Sequence, residues 1–186
     1  MKPAADRTCH DPPVLIDIVT YDGLDEMDAL GPLEVLRSAS RHADIGVFAP
    51  GQAEVLIVPG GGWAARAEQG AWGEVARSEL LPLLQHARET TRILAGVCTG
   101  TMLLAHAKLV GSRRANTHHS AWDDLAATGA TVVKERVVDD GDLVTSGGVT
   151  SGIDLALWLL EREFSQELAE RMATRMEYDR WRARAE

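Results

Sequence analysis

The chain has 186 residues, of which 45% are hydrophobic and 25% charged, ordinary values for one compact globular domain with a full core. A formal net charge of −9 argues against a nucleic-acid surface, because neutralising phosphates needs clustered Lys and Arg. No apolar run approaches the roughly 20 residues of a membrane helix, and residues 1–13 lack the apolar core of a signal peptide, so the expectation is a soluble, cytoplasmic protein. The two cysteines, Cys9 in a polar start and Cys98 in an apolar run, are too few for a disulfide framework and read as free thiols.

Residues 1–13, with three prolines and no hydrophobic period, read as a disordered tail in which Cys9, His10 and Asp11 are loose rather than metal-binding. From Val14 onward, a single domain over residues 14–186 is expected. Strands are predicted at residues 14–21, 45–49, 55–59 and 92–97, where β-branched and apolar residues run together. Continuous apolar strands imply a sheet covered on both faces. Between them, a helix is expected over residues 32–40, entered through Gly31 with Pro32 at its first position, and a longer one over 72–89 that Pro82 breaks or kinks. Helices follow at 99–108 and 120–128. Residues 135–139 and 143–146, joined through Asp140 and Gly141, form a small hairpin. The remaining text is helical over 150–163, and Ser165 caps a final helix running toward Arg182. Five arginines between positions 171 and 184 lie among Glu167, Glu170, Glu177 and Asp179, which suggests ion pairs on a solvated face. Strands alternating with helices require right-handed crossovers and a mainly parallel sheet, with chemistry at the carboxyl ends of its strands.

At one such end, Ile93-Leu94-Ala95-Gly96-Val97-Cys98-Thr99-Gly100-Thr101 joins a buried strand, a cysteine and small residues that permit a tight turn into a helix. A thiol at a helix N-terminus faces free N–H groups that favour the thiolate and lower its pKa. A buried structural cysteine is the plain alternative, and the glycine and threonine context favours a nucleophile. Val58-Pro59-Gly60-Gly61-Gly62 follows another strand, and its three glycines let backbone N–H groups approach a ligand, so Gly60, Gly61 and Gly62 form a candidate oxyanion or anion site. Glycines after a strand also serve simply as turns. In Asp25-Glu26-Met27-Asp28-Ala29-Leu30-Gly31-Pro32, Asp28 is the acid with apolar neighbours. It is expected to point inward with a raised pKa as a general acid or base, or to cap the helix. His118 and His119, after Arg113 and Arg114, would supply an imidazole from the end of a further strand, and a surface or structural pair is the plain alternative.

These residues resemble the DJ-1/PfpI superfamily, whose members are class I glutamine amidotransferase-like, and within it the isonitrile hydratase branch. The resemblance is carried by Asp-Ala-Leu-Gly-Pro from Asp28, Val-Pro-Gly-Gly from Val58, Val-Cys-Thr-Gly from Val97, and the stretches 109–118 and 144–154. It covers residues 14–163. It implies a flavodoxin-like three-layer sandwich, with a mainly parallel central sheet between helices and a small β-hairpin. It also implies a nucleophile at Cys98, an acid-base partner at Asp28 and support from Thr99, and the residue reading adds Gly60, Gly61, Gly62 and His118 as the groups expected to bind a small-molecule substrate. The implied reaction is hydration of an isonitrile to an N-substituted formamide through a thioimidate, in a homodimer, with no metal and no organic cofactor. Residues 49–54 form a shorter connection than the family usually has before its Val-Pro-Gly-Gly strand, so pocket walls or a dimer contact are expected to differ.

Three other functions stay open. Many superfamily members carry glutamate where Asp28 stands and act as glyoxalases or deglycases on small dicarbonyls. Others are redox sensors in which the cysteine is oxidised reversibly. Related text also forms the ligand-sensing part of AraC-type regulators; here the stretch after Glu163 is too short for a helix-turn-helix pair, so a regulator would need a separate DNA-binding partner.

Overall fold

The computed structural model describes residues 13–47 and 52–182. Residues 1–12 of the expected tail, with Cys9, and the start of the 49–54 connection lie outside those residues.

The short apolar runs form strands β1 (Val14–Ile18), β2 (Ile45–Val47), β3 (Val55–Val58) and β4 (Ile93–Gly96). After them come a two-residue pair, β5 (Arg114–Ala115) and β6 (Thr131–Val132), and then β7 (Val137–Asp139) and β8 (Leu143–Ser146). The six-stranded sheet has the order β2-β1-β3-β4-β8-β7. All neighbours pair in parallel except β7 with β8, the predicted hairpin. Every residue of β3, β4 and β8 is buried, as strands covered on both faces require. β5 and β6 pair in a second small sheet; two residues each are too few to leave a periodic signal in the sequence.

Helices α1 (Glu26–Ala39), α6 (Ser151–Glu163) and α7 (Gln166–Arg175) cover one face. α2 (Ala71–Arg77), α3 (Leu80–Arg88) and α4 (Gly100–His106) cover the other, followed in the chain by α5 (Trp122–Ala127). Two apolar clusters result. One is built around Val35, Leu36, Leu155 and Leu157, and the other around Leu94, Met102, Leu103 and Leu125. This is the α/β sandwich of the flavodoxin-like kind. Among the described residues no helix is long and apolar enough to cross a membrane.

Three helical expectations need correction. The first helix begins at Glu26 rather than Pro32, which sits inside it. Proline has no N–H for the carbonyl of Asp28, four residues back, yet packing overrides that loss. A Cβ on Gly152 of α6 would stand 3.1 Å from Pro32 Cδ, and one on Gly31 would stand 3.2 Å from Ile153 Cγ1. The Gly31-Pro32 pair therefore marks the close crossing of α1 and α6, not a helix entry. The expected long helix over 72–89 is two helices, and the break precedes the proline. Ser78, at φ 60°, closes α2 in the left-handed region, whereas Pro82 falls in the first turn of α3, where a missing N–H costs little. The final helix is capped by Ser165 Oγ, which accepts from Leu168 N–H at 3.1 Å, but it stops at Arg175. Beyond it Arg180 turns inward, only 8% exposed, to pair with Glu161 and Glu170. For that arginine the expected solvated face is wrong.

Candidate active site around Cys98

β4 lies between β3 and β8, so the carboxyl ends of three central strands converge where a doubly wound sheet presents ligand sites. Cys98 follows β4 at φ 52°, a backbone conformation uncommon for a residue with a Cβ. Surrounding bonds hold it there. Its N–H donates to the Gly147 carbonyl at 3.0 Å, and its carbonyl accepts from Thr117 Oγ1 at 2.9 Å. Gly100 is required behind the turn, since a Cβ there would lie 1.9 Å from the Val58 carbonyl oxygen. The thiol is buried, 3% exposed. The backbone at Cys98 is thus a strained strand-to-helix elbow.

Asp28, in the first turn of α1, is fully buried and points inward. Its Oδ2 accepts from Gly60 N–H at 2.9 Å, and Oδ1 has no hydrogen-bond partner. Thr99 Oγ1 accepts from Gly61 N–H at 2.9 Å. A Cβ on Gly60 would lie 2.4 Å from Thr99 N, so the loop after β3 is locked against the loop after β4. This corrects the expected oxyanion role of Gly60 and Gly61. Their N–H groups are spent inward, on the acid and the threonine, and only Gly62 of the three lines the cavity. The N–H groups that face the Cys98 sulfur belong to Thr99 and Val149.

Burial pushes the Asp28 carboxyl up to about 7; the Gly60 N–H and the Cys98 thiol oppose that rise, and the charge of Asp25 adds to it. Burial, and then the neighbouring Asp28, push the Cys98 thiol up to about 12 against the two N–H groups. The expected stabilised thiolate is therefore not the resting form. α4 is only seven residues long, and desolvation beside two acids outweighs what its terminus offers. The site at rest is a thiol beside a carboxyl that titrates near neutrality, so the sulfur becomes nucleophilic when its proton has a taker.

Cys98 opens on a cavity of about 210 Å³ walled by Asp25, Gly62, Trp63, His118 and Val149. His118 is held below its usual range by burial and by the adjacent His119. Its Nδ1 lies 2.8 Å from Ser120 Oγ and 3.3 Å from Ser120 N, so Ser120 orients the ring. Trp63 is fixed by its Nε1–H, which donates to Asp124 Oδ2 at 2.7 Å, and by an edge contact with Trp72 at 5.0 Å between centroids. A wider depression of about 790 Å³ lies beside Tyr21, Glu68 and Glu74. It lacks a nucleophile, and its Arg77 is already paired with Glu74.

Donor atoms of Asp25, Asp28 and Cys98 lie within 4.8 Å of one another, the one such trio found among the described residues. To hold a cation there, Cys98 would have to give up a proton that burial retains well above neutral pH, and Asp28 one that it releases only near pH 7.

The expected residues Cys98, Asp28, Thr99, Gly62 and His118 thus meet in one place, with Gly60 and Gly61 behind them. Two more were not foreseen. Asp25 stands one helical turn before Asp28, and that spacing could have flagged it. Val149 follows Gly147 and Gly148 at the end of β8, the same strand-then-glycine text that drew attention to Gly60.

The sequence profile of the DJ-1/PfpI family matches residues 43–162. The isonitrile hydratase of Pseudomonas putida is 35% identical over 125 residues, covering 67% of this chain and 52% of that protein. The HTH-type transcriptional regulator CdhR of Pseudomonas aeruginosa is 33% identical over 116 residues, covering 60% of this chain and 34% of that one. The chain therefore spans about half the length of the first and a third of the second. Among solved structures, a ThiJ/PfpI family protein from Pseudomonas syringae superposes with a TM-score of 0.76 over 92% of this chain and 78% of its own, at 24% identity, a likeness of fold.

Proposed function

The chain belongs to the DJ-1/PfpI family, and from that premise we propose that it hydrates isonitriles to N-substituted formamides, with Cys98 as nucleophile and Asp28 as its proton partner. One observation carries this reading: a fully buried carboxyl that titrates near 7 and has an unpartnered oxygen sits beside a thiol that burial keeps protonated.

Hydration of an isonitrile, R–N≡C, needs a proton moved from sulfur to carbon and then one from water to nitrogen. The Cys98 sulfur adds to the terminal carbon, and the thiol proton passes to Asp28 and on to that carbon, leaving a thioimidate, R–N=CH–S–Cys98. Water then adds to the same carbon while Asp28 takes its proton and returns one to nitrogen. The C–S bond breaks, sulfur recovers a proton, and R–NH–CHO leaves. The sum is one isonitrile and one water to one formamide, with no electron transfer. The N–H groups of Thr99 and Val149 stabilise the sulfur while it is anionic. Gly60 and Gly61 hold the acid and Thr99 in register.

The deciding experiment follows formamide production from cyclohexyl isonitrile by the purified protein, beside Cys98→Ala and beside methylglyoxal. Cys98-dependent formamide supports the hydratase. Consumption of methylglyoxal alone replaces it with glyoxalase chemistry on dicarbonyls, and turnover of neither replaces it with a ligand or redox sensor, as the regulator likeness would then favour.

A further inference from the structure

The wall of the Cys98 cavity carries one ionisable carboxylate besides the acid beside the sulfur, and the reaction above gives it no task. Asp25 occupies the N-cap position of α1 without making the capping hydrogen bond usual there, and it takes part in no ion pair among the described residues. Its backbone is pinned instead: the Asp25 N–H donates to the Gly60 carbonyl at 2.9 Å, and a Cβ on Gly61 would strike Asp25 N at 2.7 Å. A carboxylate oxygen of the side chain lies within 4.8 Å of the Cys98 sulfur and of Asp28. Around it the cavity offers Gly62, Trp63, Ala64, Ala65 and Val149, and neither lysine nor arginine. The one imidazole in its wall, His118, is held below its usual range by burial and by His119. The charge of Asp25 is felt by Asp28, Cys98 and His118 alike.

We propose that Asp25 is a specificity-determining residue that makes the cavity select neutral or cationic electrophiles and reject anionic ones. On the hydratase reading, on which this naming of the substrate class rests, the substrates are isonitriles with an apolar substituent, ending in nothing charged or in an ammonium group. Isocyanocarboxylates are excluded. A negative substituent about 5 Å from Asp25 meets a repulsion worth about tenfold in rate, even at a high effective dielectric.

The test uses Cys98 itself as the probe, so that it stands whether or not isonitriles turn over. In a Cys9→Ser background at pH 7, the alkylation rates of Cys98 by iodoacetamide and by iodoacetate are each divided by the rate for free cysteine. The neutral reagent is expected to be favoured about tenfold more at Cys98 than in free solution. Asp25→Asn is expected to bring that preference down to about two- or threefold, and Asp25→Glu to restore it. Removing Asp25 also relieves the thiol and speeds both reagents together, so the ratio isolates selection by charge. Asp25→Asn has no capping bond to lose, and its circular dichroism should match the parent. A ratio that Asp25→Asn leaves unchanged overturns the proposal. In a parallel arm, ethyl isocyanoacetate should exceed isocyanoacetate in kcat/KM by about tenfold, with the gap closing in Asp25→Asn. No turnover of either, with the alkylation ratio as expected, sinks the hydratase reading and leaves the selectivity of the cavity standing.

Discussion

Two buried aspartates, Asp28 in α1 and Asp154 in α6, occupy similar places in the fold and opposite chemical settings. Asp154, 2% exposed, has both oxygens satisfied. Oδ2 accepts from Arg136 and from Tyr178 Oη, and Oδ1 accepts from Trp181 N–H at 2.8 Å. A carboxylate so surrounded is a clamp that ties the chain after α7 to α6 and the β7 region. Asp28 receives one N–H and has no cation beside it. Its neighbours are a thiol and another acid, and one of its oxygens is left open. The difference teaches how to tell structure from chemistry when residue type and burial are the same: the donors around an acid decide, and an acid left partly unpaired is held in readiness for a proton.

The contrast can be broken most sharply at the thiol. Cys98→Ala is expected to lower isonitrile turnover by about 10⁴-fold or more with an unchanged circular dichroism spectrum, whereas Asp154→Ala leaves the alkylation chemistry of Cys98 intact. Retained turnover in Cys98→Ala would remove the sulfur from the reaction. Asp28→Asn comes next, slowing turnover by about 10²- to 10⁴-fold because the amide cannot carry the proton.

The same substitution sharpens the comparison in stability. The carboxyl of Asp28 is raised from 3.8 to about 7, so what it adds to folding is fully present below about pH 4 and is lost as pH rises through 7. Asp28→Asn has no such loss. Chemical denaturation at pH 5 and pH 8 should therefore show the variant gaining on the parent as pH rises, by on the order of 3 kcal/mol. A constant difference across that range would mean that Asp28 is ionised throughout. Asp154→Ala should cost about 2 kcal/mol near neutrality by removing the acceptor shared by Arg136, Tyr178 and the Trp181 N–H, read from the urea midpoint.

Two smaller effects separate the glycine interlock from an ordinary cap. Gly60→Ala places a methyl against Thr99 N and Thr99 Oγ1, at 2.4 and 2.5 Å, and is expected to cost about 2 kcal/mol and to lower turnover through displacement of Asp28. Ser165→Ala removes the cap on α7 for about 1 kcal/mol and should leave turnover and Cys98 alkylation untouched.

The sequence by itself determined the strand-helix alternation, the hairpin through Gly141, the cap at Ser165, and the elbow at Cys98 with the acid at Asp28. Each is written in local terms: a period of apolar residues, a turn residue, a capping hydroxyl, or small residues around one thiol. Only the tertiary structure decided what depends on distant partners. Pro32 lies within α1 because α6 approaches it closely at Gly152, and a proline read locally starts or ends a helix. Gly60 and Gly61 face Asp28 and Thr99 rather than a ligand because two loops 38 residues apart lock together. Arg180 is buried because Glu161 and Glu170 wait for it. The Cys98 thiol rises rather than falls because burial beside Asp28 outweighs a short helix terminus, and desolvation is a property of everything packed around a group, which no stretch of neighbouring letters contains.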